Sequence, residues 1–293
     1  MTSISPFNRL QNYIQLTRFD RPIGTLLLLW PTLWTLWLAA DGWPDIDLII
    51  IFSLGTLLMR SAGCVINDYA DRDFDGHVKR TMNRPMATGR VTQREAIILF
   101  ATLLVLAFLL VLMTNPLTIM LSFAAAALAM IYPFMKRFTH LPQVVLALAF
   151  SWGMPMAWAA QTDTINPAAW LMFVGCMLWV VAYDTQYAMV DRDDDLKIGI
   201  KSTAILFGRY DNLIITLLQT ATLIILTIVG HLLSCGPAYF AGLAGMAILF
   251  LYQKNLTRHR EREACFKAFL SNHWIGFSVL TGVILDRCFI PLI

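Results

Sequence analysis

Two stretches of this chain are dense in carboxylates. The first reads Asn67-Asp68-Tyr69-Ala70-Asp71-Arg72-Asp73-Phe74-Asp75, and the second runs from Tyr183-Asp184 through Tyr187 to Asp191-Arg192-Asp193-Asp194-Asp195. A shift of 120 residues lays D-R-D-x-D on D-R-D-x-D, so the acids form an internal repeat. If the chain is helical there, Asn67, Asp71 and Asp75 fall four apart on one face. Asp184, Tyr187, Asp191 and Asp195 make the matching stripe. Like charges at that spacing destabilise a bare helix, and two facing stripes call for a cation between them. The ligands are all hard oxygens, which suits Mg²⁺. That ion binds through a few carboxylates plus substrate phosphate oxygens. Two Mg²⁺ balancing four aspartates could still take up an anion such as a diphosphate. Lys79, Arg80, Lys136 and Arg137 are the cations available to neutralise it. An EF-hand loop does not fit, because neither cluster has Gly at the sixth position and Glu at the twelfth.

Arg60 is the other polar residue with a chemical reading, being the one basic charge in an apolar run over 46–66. A charge inside a span is expensive and by default a functional candidate. It lies seven residues before Asn67 on the same stripe, deeper than the acids. It is expected either to bind an anionic group of a second substrate or to snorkel to the headgroups. Tyr132, Ser61 and Gly63 line that depth or simply pack helices there.

The elements that position these residues follow from the rest of the composition. Of the 293 residues, 58% are apolar and 14% charged, with a mean hydropathy of +0.63. A soluble domain carries roughly 25% charged residues, so soluble enzymes, nucleic-acid-binding modules and disordered chains are excluded. Charge-free runs of membrane-spanning length, split at Asn115-Pro116 and at Ser234–Pro237, predict nine helices near 22–40, 46–66, 96–113, 116–135, 141–160, 166–185, 212–230, 236–253 and 268–286. With nine spans, every Lys and Arg except Arg60 and Arg287 falls on one side. That side is cytoplasmic by the positive-inside rule, and it carries the N-terminus and both acidic clusters. The net charge of +3 is then a product of topology, with no nucleic acid as partner. No signal or transit segment precedes the first span, which points to the cytoplasmic (inner) membrane of a bacterium. The five cysteines, with no C-x-x-C pair, read as small buried hydrophobes. The expected fold is an all-α polytopic membrane bundle, one domain over 1–293. It comprises two four-helix pseudo-repeats plus one helix, with a cytoplasmic cap made of the 67–95 and 187–211 loops.

The motifs N-D-x-x-D-x-x-x-D (67–75), D-x-x-x-D (191–195) and Y-P-F-M-K-R (132–137) resemble those of the UbiA-type intramembrane aromatic prenyltransferases, over nearly the whole chain. The stretches 59–75 and R-T-x-x-R-P (80–85) are most similar to the branch that acts on 4-hydroxybenzoate. The resemblance implies a transferase joining a long polyprenyl diphosphate to 4-hydroxybenzoate in ubiquinone synthesis, with the lipid bilayer around it. It implies that Asn67, Asp71, Asp75, Asp191 and Asp195 bind Mg²⁺ and diphosphate, supported by Asp68 and Asp184. Lys136 and Arg137 would hold the leaving group, and Arg60, with Arg137 as rival, the benzoate carboxylate. It identifies no protein partner. Two other readings stand beside it: a relative acting on dihydroxynaphthoate or haem, and a cation transporter. A transporter's acids are expected near the bilayer midplane between broken helices, whereas these lie at helix ends on one face.

Overall fold

The computed structural model describes residues 6–289, and every regular element among them is helical. The helices are α1 (Pro6–Thr17), α2 (Ile23–Ala40), α3 (Ile46–Asp71), α4 (Gln93–Val111), α5 (Pro116–Ile131), α6 (Pro142–Ser151), α7 (Gly153–Thr162), α8 (Pro167–Ile198), α9 (Thr203–Phe207), α10 (Asp211–Leu232), α11 (Pro237–Leu256) and α12 (Arg262–Cys288). Eight helical stretches among the described residues are long and apolar enough to cross a membrane, so the chain is a multi-pass membrane protein. The ninth expected span is α11. It is 20 residues long, and its Gly, Tyr and terminal Gln253-Lys254-Asn255 dilute its apolarity. Backbone contact holds it to α12: a Cβ on Gly282 would lie 2.9 Å from the Gly242 Cα.

Helices α5, α6, α8 and α11 each begin with proline, where its missing N–H is no loss. Asn115 and Asn166 cap two of them, accepting from Thr118 N at 2.9 Å and Ala168 N at 2.8 Å. Thr92 and Glu95 form a capping box at the start of α4.

Several expected boundaries are corrected. The segment 141–160 is two helices, broken at Trp152 before Gly153 and Pro155, which weaken and interrupt the hydrogen-bond ladder. The segment 116–135 leaves the α-helix at Ile131, and Tyr132–Arg137 forms a 3-10 turn around Pro133. The largest difference is α8, whose 32 residues continue from the expected 166–185 span through the whole second acidic cluster. At 1.5 Å per residue it is about 48 Å long, well beyond a ~30 Å hydrocarbon core. The expected 187–211 loop is therefore mostly helix, stopped by Gly199 at φ 72°. Loss of apolarity marked where α8 leaves the bilayer, not where it ends. The first cluster behaves differently: α3 stops at Asp71, and Asp75 opens a separate 3-10 turn, Asp75–His77.

The main core packs α2, α7, α8, α11 and α12 around Trp34, stacked 5.9 Å from Trp179. Trp179 Nε1 donates to Asn272 Oδ1 at 2.8 Å. Beside it Gln186 and Gln219 both donate to Gln253 Oε1, at 3.1 and 2.8 Å. This buried network fixes the rotation of α8, and with it the face that carries the acids. A second cluster of Leu16, Ala62, Val65, Met86, Val91 and Leu103 ties α1 and the connection before α4 to α3.

Candidate active site

All the candidate residues except Lys79 and Arg137 line one cavity of about 1050 Å³. The C-terminal half of α3 supplies Arg60, Asn67, Asp68 and Asp71, the C-terminal half of α8 supplies Asp184, Tyr187, Asp191 and Asp195, and Asp75 and Arg80 come from the connection before α4. The turn after α5 adds Tyr132 and Lys136. Asp75 reaches the cavity by the 3-10 turn, not by continuing the α3 stripe as expected. Within the D-R-D-D-D run, helical spacing sorts the acids. Asp191 and Asp195 face the cavity, while Asp193 and Asp194 turn to Arg262 on α12, at 3.4 and 3.1 Å.

The acids do not stand bare. Asp71 is ion-paired with Lys136 and accepts from Asn67 Nδ2 at 3.3 Å, while its other oxygen, Oδ1, is buried with no partner. Arg80 Nε donates to both oxygens of Asp191 at 3.1 Å, and its guanidinium lies 4.4 Å from the centre of the Tyr187 ring. Arg84 bridges Asp75 at 2.9 Å and Asp68 at 3.0 Å, and Arg18 pairs with Asp68 at 2.9 Å. Burial raises the Asp75 carboxyl above the ordinary range; Arg84 opposes that, and Asp71 and Asp68 add to it. Burial alone would lower the Arg84 guanidinium, but Asp68 and Asp75 outweigh it and hold the group above its usual value. Asp184 and Asp195 have no ion-pair partner among the described residues.

At the deep end, Arg60 Nη1 donates to Cys64 Sγ at 2.7 Å, and the guanidinium lies 5.7 Å from the Phe150 ring centre. Arg60 Nε is buried without a partner. Tyr132 donates to Gly63 O at 2.9 Å. Arg60, Tyr132 and Phe150 also stand in the wall of a second, mostly apolar cavity of about 420 Å³ between α3, α4, α5 and α7. An anionic chamber therefore passes into an apolar one at Arg60.

Two expected residues lie elsewhere. Lys79 is exposed and absent from the cavity wall. Arg137 donates to the Ala70 carbonyl near the end of α3 and packs against Phe74, 5.4 Å from its ring centre. Conversely, Arg18 and Arg84 line the cavity, and sequence reasoning had used them for topology alone. The signal for Arg84 was present in R-T-x-x-R-P; Arg18 gave none beyond its charge. Asp211, fully buried between Arg192 and Arg260 at the start of α10, was also missed.

The donor set fits a hard divalent cation. It is all oxygen, and one buried aspartate oxygen lacks a partner. Among the described residues no three His, Cys, Asp or Glu side chains converge as a closed metal cage. An ion here would be completed by oxygens of an anionic substrate, the usual arrangement for Mg²⁺.

Two apposed groups of acids on an all-helical membrane bundle, opening on an apolar chamber, make a site for an anionic head with an apolar tail. Residues 28–276 match the UbiA prenyltransferase family, and the chain belongs to it. It is 60% identical over 274 residues to a 4-hydroxybenzoate octaprenyltransferase of Aeromonas hydrophila, covering 94% of this chain and 96% of that one. A Vibrio cholerae protein of the same name is 62% identical over 274 residues, with 94% and 96% covered. Among solved structures, the apo UbiA homolog of Aeropyrum pernix K1 superposes with a TM-score of 0.79 at 23% identity, covering 90% of this chain and 98% of that one. An Archaeoglobus fulgidus UbiA homolog bound to GPP and Mg²⁺ gives 0.67 at 18% identity, covering 92% and 99%. These two structural likenesses are likenesses of fold.

Proposed function

We propose that this chain transfers a long polyprenyl group from polyprenyl diphosphate to 4-hydroxybenzoate, at the ring carbon ortho to the hydroxyl, releasing diphosphate, as a step of ubiquinone biosynthesis. The reading is supported by the relatives' shared name. The observation that carries it is the junction at Arg60, where the acid-lined cavity meets the apolar one. The diphosphate belongs in the first and the tail in the second.

Asp71, Asp75, Asp191 and Asp195, with Asn67, would hold Mg²⁺, supported by Asp68 and Asp184. When bound, the ion neutralises the leaving diphosphate. Lys136 and Arg80 sit on the same carboxylates and serve as further donors to the diphosphate oxygens. Tyr187 faces the allylic end beside Arg80, and Arg60 binds the benzoate carboxylate, fixing which ring carbon meets the donor. Ionisation of the allylic C–O bond yields a carbocation. Phe150 and the apolar wall beyond it keep water from that cation, so the electron-rich ring carbon captures it, and the ring proton then passes to a base (Asp191, a pyrophosphate oxygen or water), restoring aromaticity. Arg137 acts from outside the cavity by holding the end of α3, and Lys79 faces solvent. The site faces the cytoplasm from a bacterial cytoplasmic membrane, and 1–293 forms one domain.

The test is release of pyrophosphate by membranes containing the full chain. Polyprenyl diphosphate and 4-hydroxybenzoate should support it only with Mg²⁺. Asp71→Asn and Asp191→Asn should each lower the rate by roughly 10²-fold or more. Unchanged rates in both would end the assignment of these acids.

A further inference from the structure

The chain turns sharply where α8 ends. Gly199, at φ 72°, and Ile200 both donate their backbone N–H to the Asp195 carbonyl, Ile200 at 3.1 Å, so the segment folds back over the last turn. Ile200, Lys201 and Ser202 line the acid cavity there, as Asp195 does. The backbone just beyond Lys201 is pinned. Thr203 N donates to Gln143 Oε1 of α6 at 3.0 Å, and its hydroxyl lies 2.8 Å from that of Thr185 on α8. Ser202 caps α9, accepting from Ile205 N at 3.4 Å. Ser202 and Thr203 are buried, whereas Lys201 is half-buried. Its ammonium, with three protons to donate, has one acceptor among the described residues, the Phe138 carbonyl at 3.5 Å. That is the outer edge of hydrogen-bonding distance.

The internal repeat gives this position a counterpart. Arg80 and Thr81 stand five and six residues after Asp75, and Lys201 stands six after Asp195. In both halves the segment beyond the second aspartate sends a cation across to the other half. Arg80 reaches Asp191 of α8, and Lys201 reaches Phe138, just past the turn that carries Lys136. Arg80 meets an acid, and Lys201 meets only a carbonyl oxygen. Of the four repeated aspartates, Asp71, Asp75 and Asp191 are ion-paired, and Asp195 alone is not among the described residues. One cavity is thus lined by an unpaired carboxylate and an unpaired ammonium. A ligand that brings a cation to the first and oxygens to the second satisfies both, and a diphosphate carried with a divalent cation is such a ligand.

We propose that Lys201 is a further diphosphate ligand, donating to its oxygens from the second half of the chain, as Lys136 and Arg80 do from the first. The proposal rests on the reading that the diphosphate lies in the acid-lined cavity. When the allylic C–O bond breaks, its electron pair goes to the diphosphate oxygen. The Lys201 ammonium keeps its protons and stabilises the added charge by hydrogen bonding. The pinned backbone at 202–203 fixes where the lysine starts, and its flexible stem lets the amine leave Phe138 for the ligand.

The experiment is inhibition and steady-state kinetics of the purified full chain, with inorganic pyrophosphate and Mg²⁺ as the probe. Lys201→Met keeps an unbranched stem and removes the charge. It should raise the inhibition constant of pyrophosphate and the KM for polyprenyl diphosphate by about tenfold or more, the worth of one charge-assisted hydrogen bond. The KM for 4-hydroxybenzoate should move by less than about twofold, and Lys201→Arg should restore most of the lost affinity. A lysine that only latches the turn after α5 gives another pattern, a lower melting temperature with both KM values raised together, and that pattern overturns the proposal. If Asp71→Asn weakens pyrophosphate inhibition and Lys201→Met does not, Lys201 is overturned and the diphosphate reading stands. If pyrophosphate with Mg²⁺ does not inhibit the wild type, that reading fails and Lys201 with it. A measurement on the wild type covers the case in which the variant does not fold. Pyrophosphate with Mg²⁺ should protect Lys201 from reductive methylation, read by peptide mass spectrometry, and equal labelling with and without it overturns the proposal.

Discussion

Arg84 is the residue on which the acidic end of the site leans. It is 14% exposed and pairs at 2.9 Å with Asp75 and at 3.0 Å with Asp68, whose side chains are 7% and 1% exposed. Arg84→Ala would leave both carboxylates without it, but unequally. Asp68 keeps Arg18 at 2.9 Å, whereas Asp75 has no second ion-pair partner among the described residues. Breaking a buried pair by removing one partner costs about 3–5 kcal/mol. With Asp68 still neutralised, the loss falls on Asp75, and the expected cost is about 3 kcal/mol. Asp75→Asn should behave in the opposite way. It removes the carboxylate that burial already disfavours, and Arg84 keeps Asp68, so stability changes little while activity collapses. The double variant Asp75→Asn with Arg84→Ala should then recover most of the stability lost in Arg84→Ala and none of the activity. Thermal unfolding of the purified full chain in detergent gives the order of midpoints, and proteolysis of the 72–92 connection gives the local version. An Arg84→Ala midpoint equal to the wild type, or a double variant no better than Arg84→Ala, would refute the reasoning.

Three further outcomes are expected. Chelation with EDTA should stop pyrophosphate release, and Mg²⁺ should restore it; activity persisting in EDTA would remove the metal from the reading. Gly55 lies in the wall of the apolar cavity, and a Cβ there would meet nothing within 4 Å. Gly55→Phe should fill that space, slowing turnover of long prenyl donors while sparing a dimethylallyl or geranyl donor, as a competition assay would show. Gly282→Val should force α11 from α12, since a Cβ at 282 already lies 2.8 Å from the Ala238 carbonyl oxygen. Overpacking of that kind costs roughly 1–3 kcal/mol, visible as a lower midpoint.

The fold was legible because a bilayer imposes one rule, apolar length, and charge-free runs report it directly. What they do not report is where a helix ends once it has left the bilayer. Asp184 through Asp195 read as a polar loop, yet they continue α8, because Arg80, Arg262 and the buried Arg192–Asp211 pair neutralise charges that would otherwise oppose a helix. The equivalent stretch after α3 has Asp71 as its last helical residue. Identical spacing therefore gave two different local structures, decided by tertiary partners and not by propensity. The break at Trp152 was written in Gly153 and Pro155, but hydropathy averages over it. Helix α1 was hidden because an amphipathic surface helix has neither the apolarity of a span nor a loop's turn residues.

The acids of the site could be read because they repeat, and the cations could not because they do not. Asp71 and Asp191 occupy equivalent places in the two halves, as do Asp75 and Asp195. Moving Arg80, Arg84 and Lys136 by the same 120 residues lands on Ile200, Ala204 and Leu256. Every cation paired with a cavity-lining acid comes from the first half: Arg18 and Arg84 on Asp68, Arg84 on Asp75, Lys136 on Asp71, Arg80 on Asp191. Charge counting foresaw that basic residues were needed near the acids, but it could not tell Arg80 from Lys79 or Lys136 from Arg137. Only the turn after α5 and the connection before α4 decide which cations reach inward. Arg137, beside Lys136, is spent on the Ala70 carbonyl, and Lys79, beside Arg80, on solvent. A symmetric frame of acids with cations from one half gives the cavity a direction. In the proposed reading the acid-paired bases that flank the diphosphate come from the first half, while the apolar exit at Arg60 is walled by α3, α4 and α5 of that half together with Phe150, Gly153 and Met156 of the second, so the donor's tail leaves across the seam between the halves.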